Sequence, residues 1–335
     1  MGKKIFFGNH KGGVGKTTSV FQIGINMVKN HNKKVLLLDL DSQGSLSKIC
    51  AKSLDISLEN ISLEYSLNYL IELYILAYRR YSKLDILKNK SEDKEVSNIL
   101  KKSILKTKTK NLCFIPTKID IVNGRLNDIA EQISRFSMSM VGIAKIFDDI
   151  DKMEEHFDYI LIDCPPGINT LIQSVFLKSD YYIIPTIADD ISSSGVTDFV
   201  KLVERTILQY TYDSNIGGIL LEKIFGKSPT LLGVLETKHN LMSSKNTDNL
   251  LIALNQQLCS NNININKNPK EFMVDFQKSP KSYVFKSKIR DLNNMTDKNN
   301  YGIPYMTSLA QSHQEYDEIT KHLLNILEKT QNEKY

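Results

Sequence analysis

The chain has 335 residues, 41% hydrophobic and 24% charged, with 16 Gly, 8 Pro and a formal net charge of +5. That composition excludes collagen-like, disordered and coiled-coil classes and leaves room for one large or two modest globular domains. No apolar run approaches the roughly 20 residues needed to span a bilayer, and no signal peptide precedes the first strand-like run, so a cytoplasmic location is expected.

Residues 4–8 form a short apolar run that breaks into a Gly-rich stretch, and residues 17–30 carry Val20, Ile23, Ile25, Met27 and Val28 at helical spacing. A second apolar run, residues 35–38, ends on Asp39, and similar runs recur at 112–115, 159–162, 181–184 and 216–221. Unalternating runs of this length fit strands buried on both faces. Their separation by helical stretches predicts βαβ units and a doubly wound α/β fold, a mostly parallel sheet with helices on both faces.

Two stretches exceed a minimal fold of that kind. Residues 53–110 carry Leu67, Leu70, Ile71, Tyr74, Ile75 and Tyr78 at helical spacing and then turn Lys-rich, which predicts a helical insertion. Residues 226–301 begin with Leu231-Leu232-Gly233-Val234 and show little period, which predicts a basic cap of short helices and loops. Residues 302–335 are expected to hold a C-terminal helix, with Ile319, Leu323, Leu324 and Leu327 on one face. The whole of 1–335 is taken as one domain. Cys50, Cys113, Cys164 and Cys259 lie far apart with no CxxC pair, and the six His show no ligand spacing. Neither a disulfide framework nor a zinc site is suggested.

Chemistry concentrates near the N-terminus. Lys11-Gly12-Gly13-Val14-Gly15-Lys16-Thr17-Thr18 follows the first strand and opens a helix, the context a phosphate-binding loop requires. Glycines let consecutive N–H groups turn inward at the positive end of the helix, making an anion nest. Lys16 is placed to reach β- and γ-phosphates, and Thr17 to bind Mg²⁺. The position of the first Gly in the plain GxxxxGK[ST] pattern holds His10, so the loop is the variant KGGxGKT, with an additional lysine at Lys11.

This loop resembles that of the ParA/MinD family of deviant Walker A P-loop ATPases, and most of all its ParA branch of DNA-partition ATPases. The resemblance implies a Mg-ATP-dependent homodimer in which Lys11 touches the nucleotide of the partner subunit. Asp39-Leu40-Asp41-Ser42-Gln43-Gly44 looks like the family segment D-x-D-P-Q-G, with Ser42 in place of proline. By that likeness Asp41 positions the attacking water and Asp39 lies in the outer shell of the metal. Residues 159–167, with Asp163-Cys164-Pro165-Pro166-Gly167, resemble the Walker B segment, where Asp163 holds a metal-bound water and the Pro-Pro-Gly turn senses the γ-phosphate. Behind the run 216–221, where the family often places an adenine-reading Asn, this chain has Glu222-Lys223.

The function implied is an ATPase for plasmid or chromosome segregation. It binds nonspecific double-stranded DNA as a nucleoid-associated dimer, and a ParB-like centromere-binding protein stimulates hydrolysis. With the first strand beginning near Lys4, no N-terminal operator-binding domain is expected. A MinD-like membrane ATPase is the alternative, and it would need the tail helix to be basic and amphipathic. The charges around that helix are mixed, so docking on the sheet is expected and no membrane partner. An iron–sulfur relative would need seam cysteines, and a tyrosine kinase a C-terminal Tyr cluster. Lys278, Lys281, Lys286, Lys288 and Arg290, interleaved with Tyr283 and Phe285, are the candidate DNA contacts, and residues 101–110 are the competing site.

Overall fold

A computed structural model describes residues 1–81, 92–119, 121, 124–135, 139–187, 190–210, 218–239, 244–259, 283–290 and 310–332. Among them the strands are β1 (Lys3–Phe7), β2 (Val35–Asp39), β3 (Leu105–Lys106), β4 (Leu112–Ile115), β5 (Tyr159–Asp163), β6 (Tyr181–Thr186) and β7 (Thr230–Glu236). The helices are α1 (Lys16–Lys29), α2 (Ser45–Ser53), α3 (Leu67–Tyr81), α4 (Glu92–Ser103), α5 (Leu126–Arg135), α6 (Ser139–Asp151), α7 (Thr170–Lys178), α8 (Asp190–Leu208), α9 (Gly218–Phe225), α10 (Ser244–Cys259) and α11 (Ala310–Asn332).

The seven strands form one sheet in the order β3-β4-β2-β5-β1-β6-β7. Every pairing is parallel except β3 with β4. Because both faces are covered, alternate residues of one strand enter different cores. Leu36, Leu38, Ile160 and Ile162 join the cluster under α3, α5, α6 and α7, whereas Val35, Leu37, Tyr159 and Leu161 join the cluster under α1 and α11. That is why the strands read as unbroken apolar runs. The chain crosses over on each side of β1, so the C-terminal ends of β1, β2 and β5 converge beside the loop before α1, the topological position at which α/β sheets bind ligands.

Within the stretch expected as a helical insertion lie α3 and α4, and α3 lies against α6. Gly142 of α6 makes that contact close, since a Cβ there would stand 3.0 Å from the Tyr74 carbonyl oxygen and 3.2 Å from the Ile75 nitrogen. The tail helix α11 packs on α1. Tyr316, Ile319, Leu323, Leu324 and Leu327 are buried there, and Lys3 Nζ donates to the Leu327 carbonyl at 2.9 Å.

Two expectations are corrected. The described part of 216–221 is not a strand: Gly218 opens α9, because Leu220/Ile224 and Leu221/Phe225 continue the apolar spacing at i, i+4. The edge strand is β7, within the stretch expected to be short helices and loops, and α10 follows it. Residues 283–290 run on beside β7, with Phe285 N donating to Val234 O at 2.9 Å and Ile289 N to Glu236 O at 2.9 Å. The antiparallel β3 also escaped the sequence reading, its two residues being too short for a periodic signal.

Candidate functional site

The turn from β1 into α1 is built on left-handed backbone. Gly13 and Gly15 have φ of 71° and 74°, values that cost an L side chain energy and glycine little. Gly15 is the N-cap of α1, and no side chain caps that helix. Its first-turn amides are thus presented to an anion, in the direction the helix dipole favours. A Cβ on Gly12 or Gly13 would meet nothing within 4 Å, so the loop faces open space. Asn9 braces its base: Asn9 Nδ2 donates to the Pro185 carbonyl at 2.7 Å, and Lys11 N donates to Asn9 Oδ1 at 3.0 Å.

Lys16 is buried and folds back over the loop, donating from Nζ to the Lys11 carbonyl at 2.9 Å and the Asn9 carbonyl at 3.3 Å. Burial lowers its pKa, partly offset by the negative charges of Asp163 and Asp41. Val14 is buried and Thr18 half-buried at the start of α1. Thr17 Oγ1 donates to Asp163 Oδ2 at 2.6 Å.

Three carboxylates face this loop from the ends of β2 and β5. Asp163 is fully buried, its Oδ1 has no hydrogen-bond partner, and desolvation first, then the charge of Asp39, raise its pKa well above the carboxylate range. Asp39 is buried too and pushed up to about 6 by desolvation, against the lowering effect of the Ser47 bonds. Asp41 lies on the turn after β2, where its Oδ1 accepts from Gln43 N at 2.9 Å.

An acid left with one buried, unpartnered oxygen beside a hydroxyl and an anion nest fits a divalent cation. Among the described residues no group of three or more His, Cys, Asp or Glu could form a metal cage. The donors present, Thr17 Oγ1 and Asp163, suit Mg²⁺, which keeps several waters and completes its shell with substrate phosphates. Asp39 has both oxygens engaged by this chain's own donors, as an outer-shell position requires.

The structure thus gathers Lys11, Gly12, Gly13, Val14, Gly15, Lys16, Thr17, Thr18, Asp39, Asp41 and Asp163 around one loop. Two residues of the site were missed. Thr237, just past β7, bridges from Oγ1 to the Val14 carbonyl at 2.9 Å and to the Thr186 carbonyl at 3.0 Å, tying the loop to two strands. Ser47 contacts Asp39. Neither carries a motif signal, because each acts on backbone or through a neighbour. Glu222 and Lys223 fall within α9, so the segment following the last strand is Thr237-Lys238-His239 instead.

The basic segment is less free than its composition suggested. Tyr283 and Phe285 are buried, Lys288 Nζ lies 3.1 Å from buried Glu236, and Arg290 Nε lies 2.6 Å from Glu315. Lys286 is exposed, and Lys278 and Lys281 lie outside the described residues. In the competing stretch, Lys106 faces Glu155 at 3.7 Å and Lys108 pairs with Asp55, all largely solvated.

The virulence plasmid ParA family protein pGP5-D of Chlamydia psittaci is 28% identical over 196 residues, covering 58% of this chain and 60% of that protein. The match therefore spans less than two thirds of that relative. The sporulation initiation inhibitor protein Soj of Bacillus subtilis is 26% identical over 236 residues, 70% of this chain and 78% of that protein. An ATP complex of McdA from Cyanothece superposes with a TM-score of 0.63 at 18% identity, over 97% of this chain and 96% of that one, which shows a common fold. Since the AAA domain family model matches residues 2–216, well over half the sequence, this chain belongs to that family, on its ParA/MinD branch of P-loop ATPases.

Proposed function

We propose that the chain is a ParA-type ATPase for DNA segregation: it binds Mg-ATP, closes into a homodimer, binds nonspecific double-stranded DNA, and is released when a ParB-like partner stimulates hydrolysis. The observation that carries this reading is the loop of Lys11 to Thr18 set against Asp163, whose buried Oδ1 awaits a partner. Bound Mg²⁺ supplies charge neutralisation on the phosphates. The residues of this chain do the rest. The α1 amides and Lys16 take the phosphate oxygens once Lys16 Nζ leaves the Lys11 and Asn9 carbonyls. Thr17 and Asp163 hold the cation side, and Asp41 orients the attacking water. Lys11, at the rim of the loop, reaches the nucleotide of the second protomer. Positioning and electrostatics suffice, because phosphoryl transfer asks the protein for little covalent chemistry.

Burial of Tyr316, Ile319, Leu323, Leu324 and Leu327 in α11, which packs on α1, speaks against the membrane alternative. DNA binding is the part most in need of a test. Lys288 and Arg290 are committed to Glu236 and Glu315, so the charge reversal belongs at Lys278, Lys281 and Lys286. Each phosphate contact removed flattens the slope of log affinity against log salt by roughly 0.9. The triple Glu variant is expected to bind ATP normally and lose ATP-dependent DNA binding on all sequences alike. If only Lys106→Glu with Lys108→Glu loses DNA, the helical insertion is the contact; if neither does, both basic stretches are solvated surface; if the wild type ignores DNA in the presence of ATP, the segregation reading fails. Co-sedimentation with anionic vesicles in ATP supports the membrane reading if positive.

A further inference from the structure

The helix α2 begins without a cap of its own. Gly44 is its N-cap residue, in left-handed backbone at φ 61°, and contributes no side chain to the first turn. The missing acceptor comes from another element. Asp39, at the end of β2, accepts from Ser47 N at 2.8 Å and from Ser47 Oγ at 2.9 Å, both on Oδ2. Its Oδ1 accepts from Asp41 N at 3.1 Å. One buried carboxylate therefore caps a helix and pins the turn that carries Asp41. Ser47 Oγ in turn accepts from Thr117 N at 2.9 Å, beyond β4, and Thr117 Oγ1 donates to the Asp39 carbonyl at 2.5 Å. Asp39, Ser47 and Thr117 are each nearly solvent-free.

Each link is anchored on a different element: β2, α2 and the strand end after β4. If the Ser47 hydroxyl is deleted, Thr117 N is left buried without its acceptor and the Asp39 carboxylate loses one of its three donors, a buried polar imbalance that relaxes by movement. The element left to yield is the turn 41–44, because Leu40 N is held by the Asp163 carbonyl and the ends of β2 and β4 are locked in the sheet. Asp41 sits on that turn and is near enough to Lys16 for its charge to act on the ammonium.

We infer that Ser47 is a positioning residue for hydrolysis, its hydroxyl fixing the Asp39 carboxylate and, through it, the turn that aims Asp41 at the nucleotide loop. The inference rests on the reading of Asp41 as the carboxylate that orients water. Ser47 bonds to Asp39 and to none of the groups read as touching phosphate or cation directly, so its influence is expected on turnover more than on nucleotide affinity.

The experiment compares Ser47→Ala, Ser47→Thr and Asp41→Ala with wild type in steady-state ATP turnover, equilibrium ATP binding and amide hydrogen exchange of the nucleotide-free protein. Ser47→Ala is expected to lower kcat roughly 10- to 100-fold, the scale of one charge-assisted hydrogen bond in a positioned site. Its ATP dissociation constant should stay within about threefold, and the amides of 40–47 should exchange faster. Ser47→Thr, which keeps the hydroxyl, should recover most of kcat. Ser47→Ala placed on Asp41→Ala should cost nothing more. Unchanged kcat in Ser47→Ala, equal losses of kcat and ATP affinity, unaltered exchange over 40–47, or failure of Ser47→Thr to recover turnover each overturn the inference. Full turnover in Asp41→Ala would instead remove the reading beneath it, and the Ser47 exchange data would show the two failures apart.

Discussion

Thr17 Oγ1 and Asp163 Oδ2 lie 2.6 Å apart, joining the first turn of α1 to the end of β5 across the place where a cation would enter. The hydroxyl oxygen keeps its lone pairs free while its proton lies on the carboxylate, so the two residues would hold a cation together, Thr17 through Oγ1 and Asp163 from the end of β5. Thr17→Val removes the hydroxyl and keeps the shape. Nucleotide binding by this variant should become insensitive to Mg²⁺, with affinity in Mg²⁺ falling to that measured in EDTA. Isothermal titration with and without Mg²⁺ checks it.

Lys16 donates to two carbonyls of its own loop, which keeps a desolvated ammonium satisfied until phosphate replaces them. In Lys16→Ala nothing offsets the phosphate charge in the nest. With charged hydrogen bonds contributing about 1.5–3 kcal/mol each, two lost contacts should weaken ATP binding by at least about 100-fold. Fold integrity should survive, which circular dichroism would verify.

Asp41 and Lys11 should separate chemistry from assembly. Asp41→Ala should keep ATP binding and an ATP-dependent dimer while losing turnover by roughly 100-fold or more. Lys11→Ala should bind ATP and fail to dimerise, because its contact lies in the partner's site. Light scattering with ATP distinguishes them, and identical behaviour of the two variants would refute the division.

Asp163 is a buried acid with one carboxyl oxygen unpartnered, and its pKa is raised chiefly by desolvation. For an acid raised in the folded state, the penalty is full above the folded pKa and shrinks as pH falls from there toward the unfolded pKa. Asp163→Asn should therefore melt higher than wild type at pH 8 without nucleotide, and the gap should narrow on acidification. Asp39, pushed up to about 6, adds a slope of the same sign between pH 4 and 6. The same Asn variant should lose Mg²⁺-dependent ATP stabilisation. A melting-temperature series across pH, with and without Mg-ATP, reads both effects.

Gly142→Val tests the insertion's seat. The added side chain meets the Tyr74 and Ile75 backbone at 3.0–3.2 Å, where nothing can rotate away. Overpacking of this kind costs about 1–3 kcal/mol, so the denaturation midpoint should fall while ATP affinity stays constant.

Most of the sheet was legible because strands buried on both faces leave continuous apolar runs, as at 35–38 and 159–162. The loop was legible because its chemistry demands glycines at fixed offsets from Lys16 and Thr17. Residues 218–221 were misassigned since a short apolar run has no period of its own, and the following Ile224 and Phe225 extend it at helical spacing into α9. Thr237 and Ser47 stayed hidden for another reason: their partners, Val14 and Asp39, are brought to them only by the tertiary fold. The basic segment looked solvated in one dimension. Glu236 and Glu315, which claim Lys288 and Arg290, come from distant stretches.

The position of β1 also governs how the molecule can be made. Its neighbours are β5 and β6, with Lys3 beside Tyr159 and Ile5 beside Tyr181, so β1 has no sheet partner until the chain has been made as far as β5. Sheets of such long-range parallel pairing fold slowly, and the early chain, with its apolar β1 and β2, must wait unpaired. The phosphate nest hangs from that same strand. A nascent chain thus acquires its nucleotide cradle late, and ATP, by binding only the completed fold, draws the last docking step toward completion by mass action.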